Sequence, residues 1–179
     1  MGDLLSVLCK LRADMSAPDQ VDEDNLYELN WEIETELGLG VMLADLDQGQ
    51  ARTLPPELSA FFGALKYFQC INLIYSTLNH DGLLALFYNE TSQRIEQLRH
   101  CLLACDDPLA PWFAQACELL TPLFSLQDGA NFVSRNPGLT PASVLTPAQA
   151  DAFDDIEFEF EELEAESWAR ALQKYRAAR

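Results

Sequence analysis

The chain has 179 residues, the size of one ordinary domain, and about half of them are hydrophobic, enough to build a core. Twenty-nine Asp and Glu against eleven Lys and Arg leave a formal net charge of −18, well beyond the magnitude of about 2–8 that suits a small domain. These totals exclude a disordered acidic tail, and no run of about 18 apolar residues exists to cross a membrane as a helix.

Taken from the start, Met1 to Lys10 lacks the basic leader and small-residue cleavage site of a secretory signal. Cytoplasmic residence is therefore the expectation. Leu4, Leu5, Leu8 and Leu11 recur at helical spacing and predict a first helix from about Asp3 to Met15, stopped before Pro18. Leu26, Leu29, Ile33 and Leu37 predict a second, with Asp24 or Asn25 as cap and Gly38 as stop. Pro55 and Pro56 open a long apolar segment from Leu58 to Leu78, hydrophobic nearly all round, which reads as the central helix. Phe61, Leu65, Phe68, Asn72 and Tyr75 share one of its faces, and Asn79-His80-Asp81-Gly82 is the expected break. Further helices follow through Leu83, Leu84, Phe87 and Tyr88, from Arg94 to Ala104, and from Pro108 to Leu126. Gly129 to Thr146, with Asn136-Pro137-Gly138 and Pro141, reads as a loop with room for one helical turn. Thr146-Pro147-Ala148-Gln149 then opens the clearest helix of all, with a cap, a proline at the first helical position and a Gln placed to complete a capping box. Phe153, Ile156, Phe160 and Leu163 mark its buried stripe, continuing toward Trp168 and Leu172. The alternation Glu157-Phe158-Glu159-Phe160-Glu161 also fits a strand, but its flanks are helical and helix is the expectation. Arg170, Lys174, Arg176 and Arg179 suit the negative end of that helix's dipole. The fold class is all-α: a single compact helical domain over residues 1–179, with no internal repeat and no linker.

Chemistry-bearing residues occur only in fragments. Gly38-Leu39-Gly40 lacks the strand context and the third glycine of a phosphate loop. His80-Asp81 is the best acid/base candidate, yet Asn-His-Asp-Gly is also good turn chemistry, and the turn is favoured. His100, Cys101, Cys105 and Cys117 invite a metal reading, but the second ligand pair of a structural zinc site is missing. Asp45, Asp47 and Gly49 lack the Glu that closes a calcium loop. The five cysteines, Cys9 and Cys70 with the three just named, are read as reduced and mostly buried. No enzyme, no cofactor and no metal is the expectation.

The acids carry the information. Residues 13–51 hold no Lys or Arg but eleven acids, among them Asp22, Glu23, Asp24, Glu28, Glu32 and Glu36. Residues 136–169 again hold no Lys or Arg, and carry Asp151, Asp154, Asp155, Glu157, Glu159, Glu161, Glu162, Glu164 and Glu166. The stretch 53–135 between them is apolar and milder in charge, with eight acids against Lys66, Arg94, Arg99 and Arg135. Acidic N-terminal and C-terminal helices thus flank an apolar centre. Halophilic adaptation would spread acids over every face, so the blocks argue against it. Glu28, Glu32 and Glu36 form an i, i+4 row that reads as unpaired and costs a few tenths of a kcal/mol per like-charged pair. From Asp151 to Glu166 a helix spans roughly 24 Å, so its nine acids stand about 2.7 Å apart along the axis. Duplex DNA carries one charge per about 1.7 Å. A rigid face of this density would satisfy the Lys and Arg groups that a DNA-binding protein sets against phosphates, and would steer association electrostatically.

The segment from Phe68 to Asn89, followed by the helix through Cys101 and that from Ala114 to Leu120, resembles a bacterial helical domain with an Asn-Gly-Gly-Phe signature shortly before Phe-Phe/Tyr-Asn. Asn79, Gly82, Phe87, Tyr88 and Asn89 fit that signature, whereas His80-Asp81 and Leu83 depart from it. With the size, the acidity and the charged flanks added, the chain resembles the neisserial-type family of acidic helical DNA-mimic proteins. That resemblance implies a homodimer occupying the DNA-binding face of a helix-turn-helix transcription repressor, without direct contact to nucleic acid or membrane. The acids are no part of the shared signature, so the candidate contact residues rest on charge layout alone. These are Asp154, Asp155, Glu157, Glu159, Glu161, Glu162, Glu164, Glu166, Glu28, Glu32, Glu36, Asp22, Glu23 and Asp24.

Two other readings fit an acidic helical chain. A dimeric chaperone would need an exposed apolar groove and would hold its partner through high salt. An immunity-type protein would inhibit a basic toxin and leave transcription factors alone.

Overall fold

In a computed structural model the chain is helical throughout its ordered elements, with no strand among the described residues, which are 4–15, 26–38, 41–46, 50–124 and 132–178. The helices are α1 (Leu4–Asp14), α2 (Leu26–Leu37), α3 (Leu43–Leu46), α4 (Pro56–Asp81), α5 (Leu83–Asn89), α6 (Ser92–Ala104), α7 (Ala110–Phe124), α8 (Phe132–Arg135) and α9 (Pro147–Ala178). Single 3₁₀ turns lie at Gln50–Thr53 and Pro141–Val144. No described helix is long and apolar enough to cross a membrane.

Internal contacts divide the chain into two compact units, Met1–Asn72 with Trp168–Arg179, and Leu73–Ser167. The sequence carries no sign of this division for a simple reason. Both boundaries fall inside helices, one within α4 and one within α9, where no Gly, Pro or polar linker marks them.

The first unit is built on the leucine spacing of α1 and α2. Leu4, Leu8, Leu11, Leu29 and Ile33 are all buried, as their three-to-four-residue recurrence requires. Gly38 ends α2 with φ +99°, a left-handed conformation that glycine adopts without a Cβ penalty, and its N–H donates to the Glu34 carbonyl at 2.8 Å. A buried Gln69 on α4 pins the entry to α3. Its Oε1 accepts from Leu43 N–H at 2.8 Å and its Nε2 donates to the Val41 carbonyl at 3.3 Å. Asp45 accepts from Met42 N–H at 3.1 Å, so this carboxylate caps a helix start; Asp47 and Gly49 lie outside the described residues. Phe68 stacks near Trp168 and Phe61 near Tyr175, with ring centroids 5.7 and 6.4 Å apart.

The second unit closes around Tyr75, Leu83, Phe87, Phe113 and Phe160, all buried. Phe113 lies between Phe87 and Phe160, with centroids at 5.8 and 6.2 Å. Several predicted helix starts and stops shift by a turn or less. The largest change is in α4, which continues through Asn79, His80 and Asp81 to end at Gly82. There φ +78° and ψ 157° place the backbone where a side chain is strained. His80 is exposed and its Nδ1 lies 2.8 Å from the Ser76 carbonyl, the ordinary contact of a last helical turn. The capping box at α9 forms as its sequence requires: Thr146 N–H donates to Gln149 Oε1 at 2.9 Å, and Gln149 N–H to Thr146 Oγ1 at 3.3 Å.

The cysteines correct one expectation. None of the five forms a disulfide, but only Cys70 is fully buried; Cys101, Cys105 and Cys117 are half-buried, and Cys9 is exposed. Cys9 follows the buried Leu8 and precedes Lys10 on the outer side of α1, where helical phase turns it to solvent.

A candidate protein-binding face on the C-terminal helix

The 32 residues of α9 carry two opposed faces. Phe153, Ile156, Phe160 and Ser167 are buried. Asp151, Asp154, Asp155, Phe158, Glu161, Glu162 and Glu166 are exposed. At about 100° per residue these seven fall within one half of the helix surface, so they form a single ridge. Asp151, Asp154, Asp155, Glu161 and Glu162 make no ion pair or hydrogen bond with any described residue. Like charges held together in this way, with no cation paired to these five, repel one another.

Three acids assigned to the same surface by sequence sit lower on the helix. Glu157 is half-buried, and its Oε1 accepts from Leu83 N–H at 2.8 Å. It thereby caps α5, whose own cap residue, Gly82, has no side chain to do so. Glu164 is half-buried and accepts from Asn79 Nδ2 at 3.2 Å. Glu159 is half-exposed at the edge of the ridge. The exposed carboxylates, six in all, therefore stand about 4 Å apart along the axis. That is close to the spacing of about 3.4 Å along one DNA strand and sparser than the duplex. Counting every acid in the segment overstated the density because helical phase turns some of them inward.

The N-terminal flank is less uniform than its sequence. Glu32, Glu34 and Glu36 on α2 are half-exposed. Glu36 pairs with Lys10 of α1, which raises the Lys10 pKa through that hydrogen bond and the charge behind it. The row read as unpaired is thus partly neutralised by a helix from elsewhere in the chain, which i, i+4 counting cannot see. Glu28 lies in α2, but its side chain is outside the described residues, as are Asp22, Glu23 and Asp24 altogether. The two acidic flanks belong to different units.

Each unit has a concavity edged by acids among its described residues. In the first, Trp31, 66 % exposed, borders a cleft of about 260 Å³ with Asp14, Met15, Glu32 and Glu36. In the second, Trp112, Gln115, Ala152, Asp155, Ile156, Phe158 and Glu159 line a cleft of about 400 Å³. Phe158 is 58 % exposed in the middle of the acidic ridge. Charge layout alone left Asp151 and Phe158 out of the candidate contact residues, although helical phase places both with Asp154 and Asp155. Trp112 comes from another helix, and no spacing within α9 could have found it.

Three polar groups of the second unit, Asp107, Ser167 and the Tyr75 hydroxyl, are internal. Asp107 Oδ1 accepts from Leu109 N–H at 2.7 Å and from Ser167 Oγ at 3.1 Å, with Asp107 and Ser167 both buried. The Tyr75 hydroxyl donates to the Phe160 carbonyl at 3.1 Å, and burial holds its pKa far above the ordinary value. Burial likewise pushes the Cys117 thiol up to about 12, away from the reactive thiolate. No group of three or more His, Cys, Asp or Glu able to hold a metal ion occurs among the described residues. In comparisons with family models, curated proteins and solved structures, nothing matches this chain.

Proposed function

We propose that the chain is a DNA mimic whose acidic surface binds the DNA-binding face of a transcriptional regulator, a helix-turn-helix repressor first among them, and keeps DNA from it. The observation that carries this reading is the ridge of α9. Its exposed carboxylates share one face of a long helix, at a spacing near that of phosphates on a strand, with no cation of the described residues paired to Asp151, Asp154, Asp155, Glu161 or Glu162. Rigid placement matters, because a flexible acidic tail would lose the ordering entropy on binding that a preformed helix does not. The resemblance of the whole chain, carried by the Phe68 to Asn89 segment together with the size and the acidic flanks, supports the same reading and adds that the acting form is a homodimer; cytoplasmic residence belongs to the same proposal.

The test is competition. The chain, used as bait at low salt, should retain a helix-turn-helix repressor, and titrating it into that repressor bound to labelled operator DNA should release the DNA. Changing Asp154, Asp155, Glu161 and Glu162 together to Asn and Gln should abolish the release. Operator that stays bound at saturating chain overturns the proposal, and a complex indifferent to salt overturns it in favour of a chaperone.

A further inference from the structure

A charged ridge attracts any cation, and Coulomb attraction across water does not by itself distinguish Arg from Lys. The ridge of α9 is interrupted, however, by an aromatic side chain that its charge pattern does not require. Phe158 is 58 % exposed, and it borders the cleft of about 400 Å³ that Trp112 closes from α7. The volume lies at the small end of ligand pockets and has room for one long side chain with its head group.

Its lining restricts what that side chain can be. Trp112 and Phe158 offer aromatic faces, and Ile156 and Ala152 an apolar floor. Asp155 and Glu159 place two carboxylates one helical turn apart on the same wall. An apolar occupant would take those carboxylates out of water with nothing to pair them, at a heavy cost. An anion is repelled. A Lys ammonium pairs with a carboxylate but is compact and strongly hydrated. A guanidinium is planar, weakly hydrated, able to stack on an aromatic face and to fork toward carboxylates.

We infer that the Trp112–Phe158 cleft is an arginine-binding pocket, the anchor at which the ridge selects an arginine of its basic partner over a lysine. The inference rests on the proposed function for who supplies that arginine, and it adds to that function a determinant of specificity. Phe158 and Trp112 stack on the guanidinium, Asp155 and Glu159 receive its N–H groups, and the surrounding acids bring the partner into range.

Capped tetra-arginine and tetra-lysine peptides, equal in charge, test it directly by titration against the ¹⁵N-labelled full chain. Substituting Trp112→Phe assigns the Trp112 indole signal. Tetra-arginine should shift that signal and bind at least about fivefold more tightly than tetra-lysine. Phe158→Ala, at an exposed position that leaves the core intact, should bring the two peptides level. Equal binding of both peptides to the unaltered chain overturns the inference, as does a Trp112 signal moved by N-acetyl-leucinamide but not by tetra-arginine. The outcomes remain separable from those of the competition assay. Operator release with no arginine preference removes the anchor alone. An arginine preference without operator release leaves the pocket standing and removes the DNA-mimic reading.

Discussion

Glu157 sits among the acids of α9, yet its carboxylate ends on the Leu83 N–H. Removing it should therefore affect folding rather than binding. Glu157→Ala is expected to lower the unfolding free energy by about 1 kcal/mol, the usual worth of a helix cap, with partner affinity nearly unchanged. Glu157→Gln, which keeps an acceptor oxygen, should recover part of that loss in the same urea titration. Gly82 belongs to the same joint, and a Cβ there would stand 3.5 Å from Glu157 Oε1 on a backbone with φ +78°. Space is adequate and conformation is not, so Gly82→Ala is expected to cost about 1–3 kcal/mol. Two buried groups set a pH limit. The Cys117 thiol, ordinarily at 9.0, is pushed up to about 12, and the Tyr75 phenol is held above its ordinary 10.0, each chiefly by burial. Above about pH 9 the unfolded chain releases these protons while the folded chain keeps them, so ionisation favours unfolding. The stability that the neutral forms contribute is complete below about pH 9 and falls as pH rises from there toward the folded values. Thermal melts from about pH 8 to 11 should show that decline, and Cys117→Ala should flatten its earlier part.

At the scale of elements, patterns that depend on neighbours in sequence were legible. Leucine spacing placed α1 and α2, and the Thr146–Gln149 box placed the start of α9 within a residue. The helical choice for Glu157 to Glu161 held because the buried stripe from Phe153 to Phe160 runs through it at helical period. What the sequence did not contain were pairings set by tertiary contact: Lys10 with Glu36, Gln69 with the start of α3, Glu157 with α5. Such pairings decide which acids of a block are exposed, so the candidate surface was legible as a segment but not as a face. The ridge itself makes a distinct prediction. Changing Asp154, Asp155, Glu161 and Glu162 to their amides relieves repulsion among neighbours three and four apart. The variant should melt at or above the temperature of the unaltered chain while losing its partner. Glu157→Ala should do the opposite on both counts, and the pair of measurements separates the two roles of acids on one helix.

For the molecule as a whole, a net charge of −18 opposes compaction through repulsion that salt screens over about 10 Å at 0.1 M. Raising sodium chloride from about 20 to 500 mM is therefore expected to raise the melting temperature, while the complex with a basic partner should weaken by at least about tenfold over the same range. Opposite responses of folding and binding to one variable are what this charge requires; a melting temperature that falls with added chloride would show that repulsion is not what limits stability. Fold class was legible at this scale because nearly every apolar residue follows a helical period. The division into two units was not, because continuous helices carry the chain across both boundaries.

Four polar ties of the second unit join residues far apart in the chain: Asp107 to Ser167 across 60 positions, Leu83 to Glu157 across 74, and both Tyr75 to Phe160 and Asn79 to Glu164 across 85. Every one of them ends on α9. During synthesis at about 5–20 residues per second, a chain released only as far as Gln149 holds α5 without its cap and Tyr75 without its acceptor. Loop closure over such separations must come before its reward. The helix that carries the acidic ridge is thus also the last piece by which the second unit closes, and a nascent chain has no ridge to display before it has a finished core.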